Sequence, residues 1–423
     1  MPSEKRVMEG FKSLVKVDEA LRALISEVSH TPQQAEVGVD EALGLLAAED
    51  VVAGTDFPPF DRSAVDGYAV RAADTIGAGL LNPIQLRVIG EVQPGVDPSS
   101  IRHLEEGEAY VIYTGAPLPP GADAVVMAED TIRQGDVVNV TRQVTQYQNV
   151  SRRGEDFQKG KVVVRRGQRI MPWHVGAMAS LGIMSVRVYR VRVAVLSTGT
   201  EVVDLDDPRA GMPGTIINST KPLLKGLLRS DGYEPIDLGT VPDDVDKIAE
   251  RVSKGLQVAD AIITTGGTSI GSHDLVPEAV SRLGKVVFNG VRMRPGKPTG
   301  AGVVSGKPVF MLSGFPVAGL AGYIALVKPT LLSMTGTPQD PLPIIKGVIT
   351  RRVANIAGVR TYLRVRVRRG ERGYEAEPLA ITASGVLSTL TDANGILIIP
   401  EDVEGYDEGD EVEVVLISPP ENL

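Results

Sequence analysis

The chain contains no cysteine, which excludes disulfides, thiolate metal ligands and cysteine nucleophiles. Its four histidines are scattered, and no Ser-His-Asp arrangement can be read from the sequence. The net charge of −9 argues against bulk binding to nucleic acid or anionic lipid. The N-terminus lacks the apolar run of a signal peptide, and the longest apolar stretch, 317–327, is too short to span a bilayer. We therefore expect a cytoplasmic protein that binds neither nucleic acid nor membrane.

The 423 residues are too many for one compact core, and 46 glycines with 29 prolines indicate many turns. Helical spacing of apolar residues predicts a helix over 17–28, capped by Asp18, and a second helix starting at Val39. Short apolar runs between Pro/Gly/Asp turns then predict a β-rich region. We expect an elongated, discontinuous N-terminal domain, 1–50 and 146–188, interrupted by a β-rich domain, 51–145.

Strands and helices alternate from 190 to about 335, which predicts an α/β domain, 189–336, with a mostly parallel sheet. The proline-rich segment "TGTPQDPLP" follows. The strictly alternating "YLRVRVRRG" and the run "DEVEVVLI" then predict a small β domain, 337–423. The fold class is therefore multidomain α/β plus β.

Small polar residues and acids follow the predicted strands of the α/β domain. In such sheets ligands bind beyond the carboxyl ends of the strands, where glycine lets the backbone approach an anion. Tight turns without a ligand, and helix caps at the adjacent acids, are the alternatives. The candidate phosphate-binding residues are Ser197, Thr198, Gly199, Gly266, Gly267, Ser269 and Gly271, and the candidate Mg²⁺ ligands are Glu201, Asp243, Asp244 and Asp274.

A basic loop, "VRMRPGKPTGAG", lies further along the same domain. It is either a solvated turn or an anion clamp, because arginine makes bidentate oxyanion contacts and lysine supplies a point charge. Its candidate residues are Arg294, Pro295, Gly296 and Lys297. The segment "FMLSGFPVAGL" adds Ser313, Gly314 and Pro316 before an apolar helix. From the residues alone, we expect a Mg²⁺-dependent enzyme that acts on a phosphate anhydride with a second oxyanion nearby.

Six ordered motifs resemble the molybdopterin molybdenumtransferases, the metal-insertion enzymes of molybdenum cofactor synthesis, called MoeA in bacteria and archaea. They are "FDRSAVDGYAV", "TGAPLPPGADAVVM", "RRGEDFQKG", "LSTGTE", "TGGTSIGSHD" and "RPGKPTGAG". The resemblance runs from about 10 to 420. It implies an elongated four-domain homodimer whose α/β domain resembles the molybdopterin adenylyltransferases.

The resemblance also implies the reaction and its residues. The substrates would be adenylylated molybdopterin and molybdate, with Mg²⁺ required, pyrophosphate hydrolysed and AMP released. A molybdopterin adenylyltransferase would be the upstream partner. The family's functional positions imply catalytic roles for Asp66, Thr114, Asp156 and Lys297, and oxyanion binding by Arg294.

Two departures from the family pattern and three alternatives remain. The family has Lys where this chain has Arg294, and Asn where it has Phe315, so a ring contact could replace a hydrogen bond. The alternatives are a molybdopterin adenylyltransferase, a tungstate-preferring insertion enzyme and a non-catalytic scaffold. The adenylyltransferase alternative leaves the first two motifs unexplained.

Overall fold

The computed structural model describes residues 14–267, 275–337, 343–371, 373–379 and 385–422. It confirms the predicted fold class of a central α/β unit flanked by β-rich units. The boundaries between the four domains stay predictions. The α-helices are Val17–Glu27, Pro172–Ser180, Thr220–Ser230, Val245–Val258, Leu275–Leu283, Pro316–Gly322, Lys328–Met334 and Ser388–Thr391.

Two separate sheets form the N-terminal half. The first sheet has three strands, in the order Gln33–Gly38, Ser185–Arg190 and Leu46–Ala47, so it joins distant parts of the chain. The second sheet has six strands, and their order is Ala124–Met127, Gly67–Val70, Glu108–Ile112, Ile84–Val92, Val137–Val140 and Thr131–Gln134. Short pairings connect the sheets, since Val51–Val52 pairs with Val162–Val164 and Arg62–Ser63 with Val150–Ser151.

The central sheet has six strands and is mostly parallel, as predicted. Its order is Glu234–Val241, Arg192–Thr198, Ala261–Thr265, Lys307–Leu312, Gly300–Val304 and Lys285–Asn289. The first four strands run parallel, and the last two join one edge by antiparallel pairing, with only Gly300–Val304 running opposite to the others. Four parallel strands therefore end at one edge of the sheet.

Helices cover both faces of this sheet, which explains its nearly continuous apolar strands. Val193 and Val195 face one core, which includes Leu224 and Leu228 of helix Thr220–Ser230. The intervening Ala194 and Leu196 face the other core, formed with helices Val245–Val258 and Leu275–Leu283. This alternation follows the period of two along a strand.

The apolar segment after Pro316 is longer than the sequence indicated. It runs as one helix of 19 residues, Pro316–Met334, and passes through Lys328-Pro329 by way of a π-helical turn, Tyr323–Val327. The wider turn accommodates a proline inside a helix. Length and composition alone would allow this helix to cross a membrane. However, 78% of its most apolar stretch of 18 residues is buried inside the protein, as in a core helix.

The C-terminal unit is a five-stranded barrel. Arg360–Gly370 pairs with both its neighbours, and the remaining pairings close the ring. The other barrel strands are Gly373–Pro378, Ile344–Ile349, Glu411–Leu416 and Gly395–Ile399. The two-residue strand Met293–Arg294, which comes from the α/β unit, adds in parallel to Arg360–Thr361. The barrel is therefore attached directly to the basic loop.

Two local predictions are wrong. Asp18 does not cap the first helix, because Lys16 is the cap residue and the Asp18 carboxylate binds Arg360 instead, with two contacts of 2.8 Å. The helix predicted from Val39 is only a 3₁₀ turn, Val39–Ala42, followed by strand Leu46–Ala47. Gly44, with φ +80°, ends that turn, and burial of Val39 and Ala42 in the N-terminal core overrides helix propensity.

Candidate functional site

The loops predicted to bind phosphate lie together at the carboxyl edge of the central sheet. Ser197 Oγ lies 3.0 Å from Thr265 Oγ1, and the Gly199 N–H donates to the Val241 carbonyl at 3.1 Å. The Gly266 N–H donates to the Leu312 carbonyl, which ties in the fourth strand end. The edge is thus one continuous surface built from four loops.

Close packing explains why glycine occupies these turns. A Cβ added to Gly266, whose φ is +87°, would lie 2.4 Å from the Thr198 carbonyl oxygen. At Gly267 an added Cβ would lie 2.8 Å from Thr198 Oγ1. The side chains of Ser197 and Thr198 are themselves buried, so their hydroxyl groups lie on the inner side of the turn. The N–H groups of Gly199 and Gly266 are donated within the protein, whereas the backbone at Gly266 and Gly267 is partly exposed and can still approach an anion.

Two of the predicted metal ligands lie on adjoining turns. Asp243 Oδ2 accepts a hydrogen bond from Thr200 N–H at 3.2 Å, beside the exposed Glu201. Asp244 has a different task, because its Oδ1 caps helix Val245–Val258 by accepting from the N–H groups of Asp246 and Lys247, both at 3.0 Å. The two neighbouring aspartates therefore have different hydrogen-bond partners, and only Asp244 caps the helix.

The described part of the chain holds no group of three or more His, Asp or Glu side chains arranged for a metal ion. Asp274, together with Ser269 and Gly271, lies outside the described residues. Among the described candidates, Glu201 and Asp243 lie on adjoining turns that the hydrogen bond from Thr200 to Asp243 joins. Mg²⁺ is commonly held by one or two carboxylates with substrate phosphates and water completing the shell, and this donor set fits that pattern.

The loop before the long helix, residues 313–315, lies against the glycine turn at Gly266. An added Cβ on Gly314 would lie 3.5 Å from Gly266 Cα, so the two glycine turns are in contact. The Gly314 carbonyl accepts from the Thr220 hydroxyl, and Ser313 is buried. Pro316 occupies the first helical turn, where its missing N–H has no consequence.

Sequence reasoning missed the segment 218–221, which binds two of these loops and a neighbouring strand. Asn218 Nδ2 donates to Ser197 Oγ at 2.7 Å, and Thr220 reaches the Gly314 carbonyl. Lys221 Nζ lies 2.7 Å from Asp204 Oδ1 and 2.9 Å from Asp237 Oδ1. No pattern in "NSTK" signalled this, because its partners come from separate loops.

Lys221 is 5% exposed and stands in the first turn of a helix, where a cation opposes the helix dipole. Its two aspartates compensate for that placement. Burial alone would raise the pKa of Asp237, but hydrogen bonds from Lys225, Lys221 and the Gly239 N–H outweigh it and lower the pKa to about 2. Asp237 is therefore ionised at neutral pH, and the cluster is an ionic one.

The basic loop lies where the α/β unit joins the C-terminal barrel. Arg294 is half-buried and Lys297 is exposed, whereas Gly296, with φ +108°, is buried between them. Pro295 follows Arg294 through a cis peptide bond. Arg292, the third cation of the loop, donates from Nε to the Leu14 carbonyl at 3.1 Å.

A further arginine, Arg364, was missed because it lies in another part of the chain. It is 2% exposed, in the barrel strand that begins beside Met293–Arg294, and its Nε donates to Thr389 Oγ1 at 3.2 Å. Burial lowers the pKa of Arg364, and the positive charge of Arg294 lowers it further. Two arginines from two structural units thus lie on neighbouring strands, and the charge of one acts on the other.

Asp66 and Thr114 form a second, separate group. Asp66 Oδ1 accepts from both the N–H and the hydroxyl of Thr114, at 2.7 and 2.8 Å. The backbone hydrogen bond, and then the hydroxyl, hold the pKa of Asp66 below its usual range. This exposed carboxylate is therefore kept ionised.

The three N-terminal motifs meet around this pair. Ser63 exchanges backbone hydrogen bonds with the "TGAP" loop and pairs with Val150, which precedes the "RRGED" segment. Asp156 in that segment is exposed, and its carbonyl accepts from Lys161 Nζ at 2.8 Å. In the parts of the chain that the structure describes, no hydrogen bond or ion pair joins Asp66, Thr114 or Asp156 to the central-sheet loops.

Fold and site together define a class of multidomain enzyme, in which a molybdopterin-type α/β unit is framed by β units that carry further motifs. Family models match three stretches: the MoeA N-terminal region, domains I and II, over 15–182; a probable molybdopterin binding domain over 194–333; and the MoeA C-terminal region, domain IV, over 346–417. The chain belongs to the MoeA family of molybdopterin molybdenumtransferases, which act in molybdenum cofactor biosynthesis.

Similarity to individual relatives extends over nearly the whole chain. A putative molybdopterin biosynthesis protein of Methanocaldococcus jannaschii is 38% identical over 97% of this chain and 100% of its own length. A molybdopterin molybdenumtransferase of Staphylococcus aureus is 33% identical over 95% of both chains. The crystal structure of a MoeA protein from Pyrococcus horikoshii matches with a TM-score of 0.83 and 34% identity, covering 96% of this chain and 100% of that one.

The ionic cluster generates a prediction about Lys221. Lys221→Met takes a cation from the half-buried Asp204 and leaves the more exposed Asp237 with Lys225 alone, and losing a charge-assisted contact of this kind costs about 1–3 kcal/mol. We expect faster hydrogen exchange of the amides in 199–218 and a lower thermal midpoint. Lys225→Met is the matched control, because Lys225 binds the same Asp237 from a more exposed position. Equal effects of the two substitutions would show that Lys221 has no special part in holding the loops.

Proposed function

We propose that the protein inserts molybdenum from molybdate into adenylylated molybdopterin in a Mg²⁺-dependent reaction. The pyrophosphate bond is hydrolysed with one water, and AMP leaves with the finished cofactor. The central-sheet loops bind the phosphate groups through their backbone, and the basic loop binds the oxyanion. This proposal specifies the substrates, the metal ion and the products of the family's activity.

One observation carries this proposal: the pairing of Met293–Arg294 with Arg360–Thr361 places Arg294 beside the barrel strand that also carries Arg364. Two guanidinium groups repel each other, and burial strengthens the repulsion because the local dielectric is low. An anion placed between them converts the repulsion into two charge-assisted contacts. Lys297 is an exposed residue of the same loop and adds a third positive charge to it. Phosphate and molybdate are both anions of this kind.

The carboxylates support the metal requirement. Mg²⁺, when bound, neutralises phosphate charge and makes the phosphorus more susceptible to attack by water. Glu201 and Asp243 would hold it together with the substrate phosphates, with Asp274 as the further candidate. Asp244, already engaged as a helix cap, has a structural part only.

The product of the reaction distinguishes insertion from adenylyl transfer. We expect purified protein, supplied with adenylylated molybdopterin, molybdate and Mg²⁺, to release AMP and to form active molybdenum cofactor. Consumption of ATP with free molybdopterin, and release of pyrophosphate, would instead identify an adenylyltransferase. Replacing molybdate by tungstate in the same assay measures the metal preference.

Asp243 and Asp244 form a matched pair for testing the metal site. Asp243→Asn removes one charged ligand, so we expect about ten to a hundred times more Mg²⁺ to be needed for half-maximal AMP release. Asp244→Ala removes a helix cap and should lower stability by about 0.5–2 kcal/mol without changing the Mg²⁺ requirement. The opposite pattern would exchange the two assignments.

We also propose that the protein acts as a cytoplasmic homodimer and receives its substrate from a molybdopterin adenylyltransferase. The dimer is supported by the separation of the two groups of predicted residues. The Asp66–Thr114 pair belongs to the N-terminal motifs, and its bonds stay among them in the described chain. A partner subunit would bring that pair to the central-sheet loops.

Mixing two inactive variants tests this arrangement. If each site combines Asp66 of one subunit with Asp243 of the other, a heterodimer of Asp66→Ala and Asp243→Ala chains contains one intact site. We therefore expect AMP release to return after subunit exchange, although each parent is inactive. Mixtures that contain heterodimers, verified by mass, and yet stay inactive would place the whole site within one chain.

A further inference from the structure

Phe315 is an exposed aromatic ring at the edge of the site. Its side chain is 56% exposed, the only phenylalanine in the described part of the chain with so much of its surface accessible. Every residue of the helix that follows it, Pro316–Gly322, is buried. The helix thus anchors the backbone while the ring is left in solvent.

The backbone explains why the ring points away from the helix. Phe315 occupies the cap position in an extended conformation, with φ −82° and ψ 131°. Its N–H donates to Ser313 Oγ at 3.4 Å, and the preceding Gly314 is in contact with Gly266. The backbone that carries the ring is therefore held beside a glycine turn that is a candidate for binding phosphate.

The other flank of the ring lies against the C-terminal unit. A Cβ added to Gly385 would lie 3.1 Å from Phe315 Cδ1 and 3.3 Å from Cε1, so glycine allows this close approach. The next two residues, Val386 and Leu387, are 37% and 40% exposed. An apolar rim from two structural units thus borders a polar, anion-binding edge.

We propose that Phe315 is a specificity-determining residue that stacks on a planar heteroaromatic ring of the substrate, either the pterin or the adenine. The inference rests on the proposed function, since the anionic part of the same ligand must lie at the glycine turns. Stacking between an aromatic side chain and a heteroaromatic ring contributes substantially to binding. Removing the aromatic side chain therefore weakens binding by about five- to a hundredfold. Molybdate has no ring and does not use this contact.

Titration calorimetry on the full chain tests the stacking with three probes: AMP, 6-hydroxymethylpterin and molybdate. Phe315→Leu keeps an apolar side chain without a ring, so we expect AMP or the pterin to bind at least fivefold more weakly while molybdate binding stays within twofold. Phe315→Tyr keeps the ring and should restore wild-type affinity. Trp173→Leu removes an aromatic side chain that is 65% exposed in helix Pro172–Ser180 and should change nothing.

The probe that weakens identifies the ring that stacks, adenine for AMP and pterin for 6-hydroxymethylpterin. Affinities of Phe315→Leu for both ring probes within twofold of wild type would overturn the inference and leave the proposed function standing. An equal loss of molybdate binding would also overturn it, because the substitution would then have disturbed the loop. A wild-type protein that binds none of the three would overturn the proposed function and the inference together.

Discussion

The parallel pairing of Met293–Arg294 with Arg360–Thr361 holds the site together. Through it the basic loop of the α/β unit becomes an added strand of the C-terminal barrel. Arg360 also donates its N–H to the Arg292 carbonyl at 2.9 Å, and its guanidinium binds Asp18 and Glu401. The position of Arg294 is therefore fixed by the barrel and by the N-terminal helix at once, and Arg364 is brought near it by the same strand.

A second constraint acts inside the α/β unit. Parallel strands bring their loops to one edge, but they do not fix how the loops lie relative to each other. The segment 218–221 does so with three side chains that reach the end of strand Arg192–Thr198 and its following loop, the Gly314 loop, and strand Glu234–Val241. A buried lysine in the first turn of a helix violates local preferences, and such violations concentrate at functional sites. A buried lysine at this position is consistent with loops that must keep one arrangement.

The sequence was informative where chemistry and topology are local. Alternating strands and helices predicted the parallel sheet, and the glycine turns after each strand placed most candidates at its carboxyl edge. It was uninformative where a residue acts through distant partners. Nothing in "YLRVRVRRG" indicates that Arg364 lies on the strand that pairs with Met293–Arg294, and nothing near Lys221 indicates its aspartates. The helix predicted from Val39 was wrong because burial in a small core decided the conformation, and spacing within the segment could not reveal that core.

An acidic chain that handles anions must reverse its own field locally. The net charge of −9 repels both a phosphate anhydride and an oxyanion, so general steering cannot gather either substrate. In the function proposed above, Arg294 and Arg364 would provide this reversal, because the low dielectric around the buried Arg364 strengthens the field. This positive field attracts any small anion. It therefore does not distinguish between ligands that differ only in their organic part. Selectivity then depends on contacts that charge cannot supply, and the exposed ring of Phe315, which lies between the two units, is the candidate that we propose for such a contact.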